Sequence, residues 1–511
     1  MITPDMSNTP LKHIIFVPAP SWGHLRPAMK TALRMVEKFQ NLFISLYVYD
    51  SEVPKATKYL DTQSSEYSSR VRIVSASGNE APPVSIVNPI EIIKYLEDSF
   101  GRWIAKELKE SNTTRIEGRA IEKPSWIIED YFNGGVSLAC KNAHGLPIAA
   151  WWTTTAASLI GHMGNKDNGH GGRIFEYLSQ HPDFSFEKAG EIFLQGLSDR
   201  LVSIPGIPVH YEWELFPQYI PFVPPFATYM FRRWSNMLKH TDTIACCSTL
   251  EMEPISAAAL GNGLDKTLTT FFIGPAVDLV SLQKPDSNSP VTQFLDRAYT
   301  DKGAHSVIYI AFGSAFFPPP ASLSHLTAAI DEIPKAGLKF IFALSSPSAK
   351  LDKSWMDTHI QAGNGIFPEW TNQTAVLEHP AIHYFLSHGG WNSAAEALVR
   401  GVPMIFWPIA GDQSQNALQI AAVHDCGFEL LQIRTGTAKS TAYQNGTELK
   451  IIGTDDAVRE EAKHILKLTK GPRGGHQRKN IRFLGKAITD SLAPGGSGDL
   501  ELEKFGKVVG L

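Results

Sequence analysis

The sequence is poor in cysteine and nearly balanced in charge. It has only four cysteines in 511 residues, and their positions show no metal-ligand spacing. So few cysteines argue against a disulfide-stabilised secreted protein and favour the reducing cytosol. The 47 lysines and arginines face 51 aspartates and glutamates, which gives a net charge of −4. This balance argues against a surface that binds nucleic acids or anionic membranes. The cysteines are Cys140, Cys246, Cys247 and Cys426.

Long apolar runs are also missing. No stretch reaches the roughly 18 to 20 apolar residues that a membrane helix needs. The first apolar run, residues 13–17, is too short for a signal peptide, and Pro18 and Pro20 follow it closely. We therefore expect a soluble, cytoplasmic protein that acts as a monomer. A chain of this length exceeds what one hydrophobic core can fill, so two or more domains are predicted.

Short apolar runs alternate with amphipathic segments through most of the chain. This alternation predicts α/β domains with doubly wound parallel sheets, which bind ligands at the carboxyl ends of their strands. Residues 18–27 are expected to form a loop between the first strand and the first helix. The predicted strands are residues 14–17, 42–49, 71–74, 126–128, 148–151, 243–247, 307–312, 340–344 and 382–386. The predicted helices include residues 89–108, 134–143, 323–333, 415–424 and 455–469.

Two segments interrupt this alternation. Residues 159–233 are rich in glycine, proline, histidine and aromatic residues, and we predict irregular loops and short helices that cover a pocket. Residues 276–290 end in Lys-Pro-Asp-Ser-Asn-Ser-Pro, which is typical of a mobile linker. The linker predicts a boundary between two α/β units.

Residues 370–413 carry the most specific pattern of the chain. At their centre, residues 388–393 read His-Gly-Gly-Trp-Asn-Ser between an apolar run and a helical pattern. The paired glycines allow a ligand to approach the backbone, and the N–H groups of the helix start attract an anion such as a diphosphate. Glu396 is suited to accept hydrogen bonds from a ribose diol, and Trp370 offers a face on which a base can stack.

This stretch resembles the donor-binding signature of the UDP-dependent glycosyltransferases of family 1, without insertion or deletion. The resemblance implies the GT-B architecture, in which two doubly wound Rossmann-like domains face each other across a cleft. We place an acceptor-binding domain at residues 1–275, a linker at 276–290 and a UDP-sugar-binding domain at 291–484, with a C-terminal helix, 485–511, that returns to the first domain. The matching positions are Trp370, Gln373, Leu377, His379, residues 388–393, Glu396, residues 401–403, Pro408, Asp412, Gln413, Asn416 and Ala417.

The resemblance also implies a set of donor-binding residues. The final glutamine of the signature favours glucose, so we expect UDP-glucose as the co-substrate. Neither a metal ion nor another cofactor is implied, because there is no Asp-x-Asp triplet and the family neutralises the phosphates with a helix dipole and side chains. The implied residues are Trp370 and Thr371 for the base, Gln373 and Glu396 for the ribose, His388, Trp391, Asn392 and Ser393 for the turn around the diphosphate, Asp412 and Gln413 for the sugar hydroxyls, and Ser314 and Thr153 near the donor phosphates and sugar.

Two residues of the first half complete the expected chemistry. His24 lies after the first strand, at the ligand end of the predicted sheet, within Gly-His-Leu-Arg-Pro. In the family, a histidine in a Gly-His-x-x-Pro context is the catalytic base, and an unperturbed pKa of about 6.5 suits that role. Asp130 matches the aspartate that orients this base. Glu129 is an alternative, but adjacent strand residues point to opposite faces, so only one of the two can reach His24.

Three positions depart from the family's pattern. Gly389 replaces the common cysteine, which should be harmless or give closer backbone approach. Asn372 stands where proline is usual, which predicts a looser turn after Trp370. Phe316 stands where some relatives have a hydroxyl group that helps to bind the sugar, so the sequence defines the donor nucleotide better than the donor sugar.

Taken together, the pattern predicts inverting transfer of a hexose from a UDP-sugar to a hydroxyl of a lipophilic small molecule, giving a β-glycoside. We expect Trp22, residues 211–222 and residues 81–93 to line the acceptor pocket. Two alternatives stay open on the same fold, a non-catalytic nucleotide-sugar-binding protein and a nucleotide-sugar epimerase or hydrolase. Retention of both His24 and Asp130 speaks against the first, and the tryptophan-initiated signature speaks against the second.

Overall fold

The computed structural model describes residues 9–78, 88–110, 114–279, 286–444 and 446–511. Two parallel β-sheets, one in each half of the chain, form the framework of the protein. Part of the predicted acceptor loop, residues 81–87, and part of the predicted linker, residues 280–285, lie outside the described residues.

The first sheet has the strand order β10-β9-β6-β5-β1-β2-β3, and these strands are parallel. Strand β4 pairs antiparallel with β5, while β7 and β8 form a separate ribbon. The strands are β1 (Leu11–Val17), β2 (Leu42–Val48), β3 (Val71–Ser75), β4 (Arg115–Ile116), β5 (Arg119–Asp130), β6 (Ile148–Trp152), β7 (Leu201–Val202), β8 (His210–Tyr211), β9 (Thr243–Cys246) and β10 (Thr269–Phe272).

Both faces of this sheet are buried, as the apolar runs predict. Side chains alternate between the two faces of a strand. In β1, Ile15 and Val17 pack into one hydrophobic cluster, whereas Ile14 and Phe16 pack into another on the opposite face. A parallel sheet covered on both faces reads as a continuous apolar run, which is why these strands could be located from the sequence.

The order of the chain reverses between β1 and β5. Strand β1 lies between β2 and β5, and Val17 pairs with Glu129 at the carboxyl ends of the two central strands. Parallel α/β sheets bind ligands in the crevice at such a switch point. The topology therefore brings the residues that follow Val17 close to the end of β5.

The helices of the first half connect these strands. The predicted loop at residues 18–27 is partly wrong, because α1 already begins at Trp22 and includes Pro27. His24 therefore lies in the first turn of a helix. The helices are α1 (Trp22–Lys38), α2 (Val53–Leu60), α3 (Ser65–Ser68), α4 (Pro89–Lys109), α5 (Val136–Ala139), α6 (Lys141–His144), α7 (Ala156–Met163), α8 (Gly171–Gln180), α9 (Phe186–Gln195), α10 (Val223–His240) and α11 (Pro254–Gly263).

Residues 159–233 are more regular than predicted. They contain all of α8 and α9 and the first part of α10, an 18-residue helix. Pro224 and Pro225 belong to the proline content that predicted irregular structure, but they stand in the first turn of α10, where the missing N–H costs no helical hydrogen bond. The longest stretch between these helices, residues 196–222, is mostly irregular and includes a crossing segment, residues 210–222, that leads towards the second half.

The second sheet has the order β13-β12-β11-β14-β15-β16, again parallel. Its strands are β11 (Val307–Ala311), β12 (Lys339–Ala343), β13 (Gly365–Ile366), β14 (Ile382–Ser387), β15 (Met404–Phe406) and β16 (Gly427–Glu429), and an antiparallel hairpin follows with β17 (Thr441–Gln444) and β18 (Thr447–Lys450). The helices are α12 (Pro290–Lys302), α13 (Leu323–Ile330), α14 (Glu332–Lys335), α15 (Lys353–Gln361), α16 (Gln373–Glu378), α17 (Trp391–Val399), α18 (Gln413–Ala417), α19 (Asp455–Lys470), α20 (Pro472–Leu492) and α21 (Ser497–Val508).

The last two helices belong to different halves. Ile481, Leu484 and Ile488 of α20 pack in a core cluster of the second sheet. Leu502 and Phe505 of α21 pack in a core cluster of the first sheet. The chain therefore crosses back after α20, and residue 485, where we placed the start of the returning helix, lies inside α20. Across the described residues, no helix combines the length and the apolar composition needed to cross a membrane.

Candidate active site

His24 and Asp130 are in direct contact. The Nδ1 atom of His24 donates to Oδ2 of Asp130 at 2.8 Å. The aspartate side chain is almost fully buried, whereas the histidine side chain keeps 21% of its surface exposed. The two residues follow β1 and end β5, so the switch point of the first sheet assembles them from positions 106 residues apart.

Asp130 is fixed by two further donors. Its Oδ2 also accepts from the backbone N–H of Ala19 at 3.2 Å, and its Oδ1 accepts from that of Phe132 at 2.8 Å. It therefore caps the short turn after β5 and binds His24 at the same time. Glu129 points to the other face, where it accepts from the backbone N–H of Ser137 at 2.9 Å, and burial raises its pKa to about 7.

The pKa of His24 is raised above its ordinary value of 6.5. Burial acts in the opposite direction, but the charge of Asp130, its hydrogen bond and the charge of Asp412 together outweigh it. A basic imidazole that is oriented by a carboxylate is suited to accept a proton from a bound hydroxyl.

A series of phenylalanines extends outward from His24. The Phe132 ring lies 4.9 Å from the His24 ring and 5.6 Å from that of Phe226, which stacks on Phe222 at 5.3 Å. Phe132 and Phe222 remain 38% and 40% exposed. Phe222 ends the segment, residues 211–222, that we expected to line the acceptor pocket. Phe132 and Phe226 were missed, because isolated phenylalanines give no pattern that distinguishes a contact surface from core packing.

The glycine turn lies where the sequence predicts it, between β14 and α17. Gly389 has φ of +83°, which favours glycine, and a Cβ on Gly390 would lie 2.4 Å from Nε2 of His388. His388 is buried, and its burial lowers its pKa to about 4, so the imidazole is neutral at pH 7. Gly313, with φ of +75°, packs against the same ring and leads to the exposed Ser314.

The start of α17 also joins the two halves. The Asn392 side chain donates to the backbone carbonyl of Gly23. This carbonyl lacks a helical partner four residues later, because Pro27 has no N–H. The indole of Trp391 is buried and donates to the Cys247 carbonyl at 2.8 Å. Trp391, which we expected in the donor site, therefore contacts the first half with its side chain and offers the turn only its backbone.

Hydrogen bonds connect the residues expected at the base and the ribose. Trp370 keeps 65% of its surface exposed, so one face is open to a stacking partner. The buried Tyr309 contacts Oγ1 of Thr371 at 2.8 Å and donates to Oε1 of Gln373 at 3.3 Å. Gln373 in turn donates to Oε2 of Glu396 at 2.8 Å and to Oγ of Ser393 at 3.3 Å. Tyr309 was missed in the sequence because it lies in the middle of an apolar strand.

Asn372 changes the turn after Trp370 in a different way from the predicted loosening. Its Oδ1 accepts from the hydroxyl of Thr374 at 2.7 Å and from the backbone N–H of Ala375 at 3.4 Å. Asparagine is a favoured N-cap residue, and here it caps α16. The Asn372 side chain thus stabilises the turn by hydrogen bonds, whereas a proline at this position would stabilise it by restricting the backbone.

The residues expected at the sugar lie at the carboxyl end of the second sheet. Oε1 of Gln413 accepts from the backbone N–H groups of Ile409 and Ala410 at 2.8 and 3.1 Å, which leaves its amide N–H groups to donate. Oδ2 of Asp412 accepts from the hydroxyl of Thr154 at 2.7 Å. Thr154 thus makes the contact beside the position that we assigned to Thr153. Among the described residues, no cluster of three or more His, Cys, Asp or Glu could hold a metal ion.

The crossing segment does not simply line a pocket, as we had expected. Glu214 accepts from Arg434 at 2.5 Å and from the backbone N–H of Tyr443 at 2.8 Å. The Trp213 indole donates to the Thr441 carbonyl at 2.9 Å. These contacts dock the segment on the β17–β18 hairpin and on the loop before it, so much of it lies against the second half.

The comparisons with known proteins agree with this geometry. Residues 272–456 match the family model described as UDP-glucoronosyl and UDP-glucosyl transferase. The UDP-glycosyltransferase eriJ of Hericium erinaceus is 26% identical over 479 residues, 89% of this chain and 90% of that protein. A flavonoid 3-O-glucosyltransferase of Medicago truncatula is 23% identical over 523 residues, 99% of this chain and 98% of that protein.

Solved structures show the same fold over the whole chain. A Phytolacca americana enzyme complexed with UDP-2fluoro-glucose and pterostilbene has a TM-score of 0.69 and 19% identity, with 98% of this chain and 100% of that chain covered. A Medicago truncatula enzyme complexed with UDP-glucose has a TM-score of 0.67 and 18% identity, with 98% and 99% covered. The predicted GT-B fold is therefore confirmed. The resemblance to the UDP-glycosyltransferases of family 1 is therefore supported by a family model over residues 272–456 and by relatives that align over most of the chain.

Proposed function

We propose that the protein transfers glucose from UDP-glucose to a hydroxyl group of a lipophilic small molecule, with inversion at the anomeric carbon. The contact between His24 and Asp130 carries this proposal. A protein that only binds a nucleotide sugar needs neither a base nor a carboxylate to orient it, so this contact favours transfer over the binding alternative.

In the proposed reaction, His24 removes the proton from the acceptor hydroxyl as its oxygen attacks the anomeric carbon. The attack comes from the face opposite UDP. The new carbon–oxygen bond forms while the bond to the diphosphate breaks, and the electron pair of that bond leaves with UDP. Asp130 keeps a proton on Nδ1 of His24, which leaves Nε2 as the base, and stabilises the imidazolium that forms. An α-linked donor then gives a β-glucoside.

The leaving diphosphate is assigned to the start of α17. Free N–H groups at a helix N-terminus and the helix dipole favour an anion there. Ser393 adds a hydroxyl, and the neutral His388 brings no charge that would hold the product UDP too tightly. We expect turnover to continue in the presence of a chelator.

The remaining donor roles follow the geometry of the second sheet. We assign uracil to the exposed face of Trp370 and the ribose diol to Gln373 and Glu396. Asp412 and Gln413 are assigned to the glucose hydroxyls. The carbonyl oxygen of Gln413 is already occupied, so its amide can only donate to a sugar oxygen.

We assign the acceptor to the phenylalanine series beside His24. Phe132 places an apolar face next to the base, and Phe226 and Phe222 continue it outward. Such a surface suits a lipophilic acceptor that presents one hydroxyl to His24. Relatives include a flavonoid 3-O-glucosyltransferase, and a structural neighbour is complexed with pterostilbene, which supports aromatic hydroxyls as the first acceptors to test.

We also propose that residues 1–275 and α21 form the acceptor-binding domain and that residues 291–492 form the UDP-sugar-binding domain. The core clusters of the two sheets support this division, with α20 on the second sheet and α21 on the first. The boundary after α20 replaces the one that we placed at residue 485.

The experiment measures acceptor-dependent UDP release from UDP-glucose in chelator-containing buffer, with the product mass checked for one added hexose. Flavonoids, stilbenes, terpenols and sterols serve as acceptors. The variant His24→Ala should turn over at least about 100-fold more slowly, the range for a lost general base, while its UDP affinity is unchanged. His240→Ala, at the exposed end of α10, is the matched control. Equal turnover of His24→Ala and wild type would remove His24 from the mechanism.

The variant Asp130→Asn sharpens the same test through pH. His24 acts as a base only when it is neutral, so its raised pKa puts the acid limb of the rate profile above pH 6.5. Asparagine removes the charge that raises this pKa, and burial then lowers it. We expect a slower enzyme whose acid limb lies at lower pH, and an unshifted limb would contradict the role of Asp130.

A further inference from the structure

Arg26 joins two carboxylates at the junction of the domains. It lies in α1, two residues after His24. Its Nη1 donates to Oε1 of Glu396 at 2.7 Å, and its Nη2 donates to Oδ2 of Asp278 at 2.9 Å. Lys30, from the next turn of α1, pairs with the other oxygen of Asp278. The Arg26 side chain is 28% exposed, whereas that of Glu396 is only 4% exposed.

Both oxygens of Glu396 therefore have a fixed donor. Arg26 holds Oε1 and Gln373 holds Oε2, and the two donors come from different domains. Each carboxylate oxygen can accept a second hydrogen bond. Because both oxygens of the Glu396 carboxylate are held, the free lone pairs of these oxygens point in fixed directions. A diol that donates two hydrogen bonds can use that arrangement without first ordering the side chain.

We propose that Arg26 is a positioning residue for ribose recognition, acting through Glu396, which it holds in the orientation that binds the diol of a uridine diphosphate sugar. This inference rests on the proposed donor role of Glu396. Arginine suits the role because its planar guanidinium bridges two carboxylates at once, whereas the single ammonium group of lysine has no such fork.

The same contact couples the ribose site to the helix that carries the base. Asn392 and Glu396 stand four residues apart on α17 and so lie on one face of it. Asn392 holds the Gly23 carbonyl and Glu396 holds Arg26, both in the first turns of α1. His24 lies between these two points of contact, so α17 positions the base as well as the donor.

Calorimetry with UDP, 2′-deoxy-UDP and 3′-deoxy-UDP tests the inference without any turnover. A hydrogen bond to a charged group contributes enough for the wild type to prefer UDP over the poorer deoxy analogue by about 10-fold or more. In Arg26→Met, we expect UDP affinity to fall by about 10-fold. The preference for UDP should also shrink by at least about 3-fold, because Glu396 is no longer held.

The ratio of the affinity for UDP to that for a deoxy analogue separates a positioning role of Arg26 from simple charge attraction. All three ligands carry the same diphosphate, so loss of a positive charge weakens them equally and cancels in the ratio. The matched control is Arg34→Met, two turns further along α1, where Nη1 donates to the Ile273 carbonyl of the same domain at 3.0 Å. Affinity and preference should both stay at their wild-type values in this control.

A double-mutant cycle adds a second readout. If Arg26 acts through Glu396, then Arg26→Met should have little further effect on UDP affinity in a Glu396→Gln background. Additive losses would overturn the inference, and so would an unchanged preference for UDP in Arg26→Met. Should Arg26→Met fail to fold, Asp278→Asn releases the other end of Arg26 and should weaken the preference in the same direction.

The outcomes also separate this inference from the proposed function. A wild-type protein that does not bind UDP would remove the donor site itself. A wild type that binds UDP and prefers it to the deoxy analogues, with Arg26→Met unchanged in that preference, would remove only the role of Arg26.

Discussion

Two charged contacts join the domains, and they differ in burial. On the donor side, Arg26 bridges Glu396 and Asp278 while 28% of its side chain stays exposed. On the far side, Arg434 donates to Glu214 of the crossing segment at 2.5 Å and to Glu429 at 2.8 Å. All three of these side chains are less than 10% exposed. We call them the buried triad.

The difference in burial indicates which of the two contacts can change when a ligand binds. Burial raises the pKa of Glu429 despite its arginine partner, which shows how strongly the interior penalises charge there. A buried charge that loses its partner is costly, so the buried triad fixes one geometry. Arg26 itself is partly exposed, and Gln373 and Lys30 still contact Glu396 and Asp278 when Arg26 is lost. We therefore expect the buried triad to affect stability and the donor-side contact to affect binding.

The largest effect is expected at the buried triad. Arg434→Met leaves two buried carboxylates without their cation, so the free energy of unfolding should fall by about 3–5 kcal/mol. Urea unfolding followed by fluorescence measures this. Adding Glu214→Gln and Glu429→Gln to the same chain removes the unpaired charges and should recover part of the loss. A fall below about 1 kcal/mol would mean that water reaches the site, and the contrast between the two contacts would be lost.

A smaller effect is expected at Gln218, a neutral residue of the crossing segment. Its Nε2 donates to the Ile433 carbonyl at 2.9 Å, and its Oε1 accepts from Ser322 at 3.1 Å. Gln218→Ala leaves a buried carbonyl and a buried hydroxyl unpaired, so the free energy of unfolding should fall by about 1–3 kcal/mol. The neighbouring Tyr219→Ala is the control, because that side chain is 56% exposed. Equal losses in both variants would contradict the role of the hydrogen bonds.

The smallest effect on stability is expected at Arg26. Arg26→Met should lower the free energy of unfolding by only about 1 kcal/mol, because Gln373 still donates to Glu396 and Lys30 still pairs with Asp278. The difference from wild type should shrink further in 1 M salt, where the screening length is about 3 Å. Thermal unfolding in low and high salt measures both. A loss as large as that of Arg434→Met would show that the two contacts are equivalent.

The local structure of residues 370–413 was largely predictable, because these residues lie close together in the sequence. They contain the turn, the helix start and Glu396, and the glycines mark the turn by their conformational freedom. Strand periodicity placed His24 after the first strand and Asp130 at the end of a later strand, but only the family resemblance paired them. The local sequence pattern was enough to locate each residue, and the fold brings them into contact.

Contacts between distant residues were not predictable in this way. Arg26 and Glu396 are 370 residues apart, and neither position shows a pattern that names the other as its partner. The crossing segment appeared to be a pocket lining because its aromatic residues have no period, yet its polar atoms bind the other domain. In these two cases, a partner outside the local sequence decided the structure. The proline content of residues 159–233 predicted irregular structure, although prolines begin helices equally well, as at the start of α10.

Helix α21 also determines when the first domain can finish folding, because it packs on that domain but is translated after the second. Phe505 packs 5.6 Å from Phe271, and a Cβ on Gly506 would lie 2.1 Å from the Phe39 ring, so the last helix covers strands and helices that are translated first. At ribosomal rates of about 5–20 residues per second, the first domain waits on the order of ten seconds for its final helix. During that time its apolar face is exposed on the nascent chain. The first domain is thus translated first but finished last, and a chain released before α21 emerges would carry an uncovered hydrophobic surface.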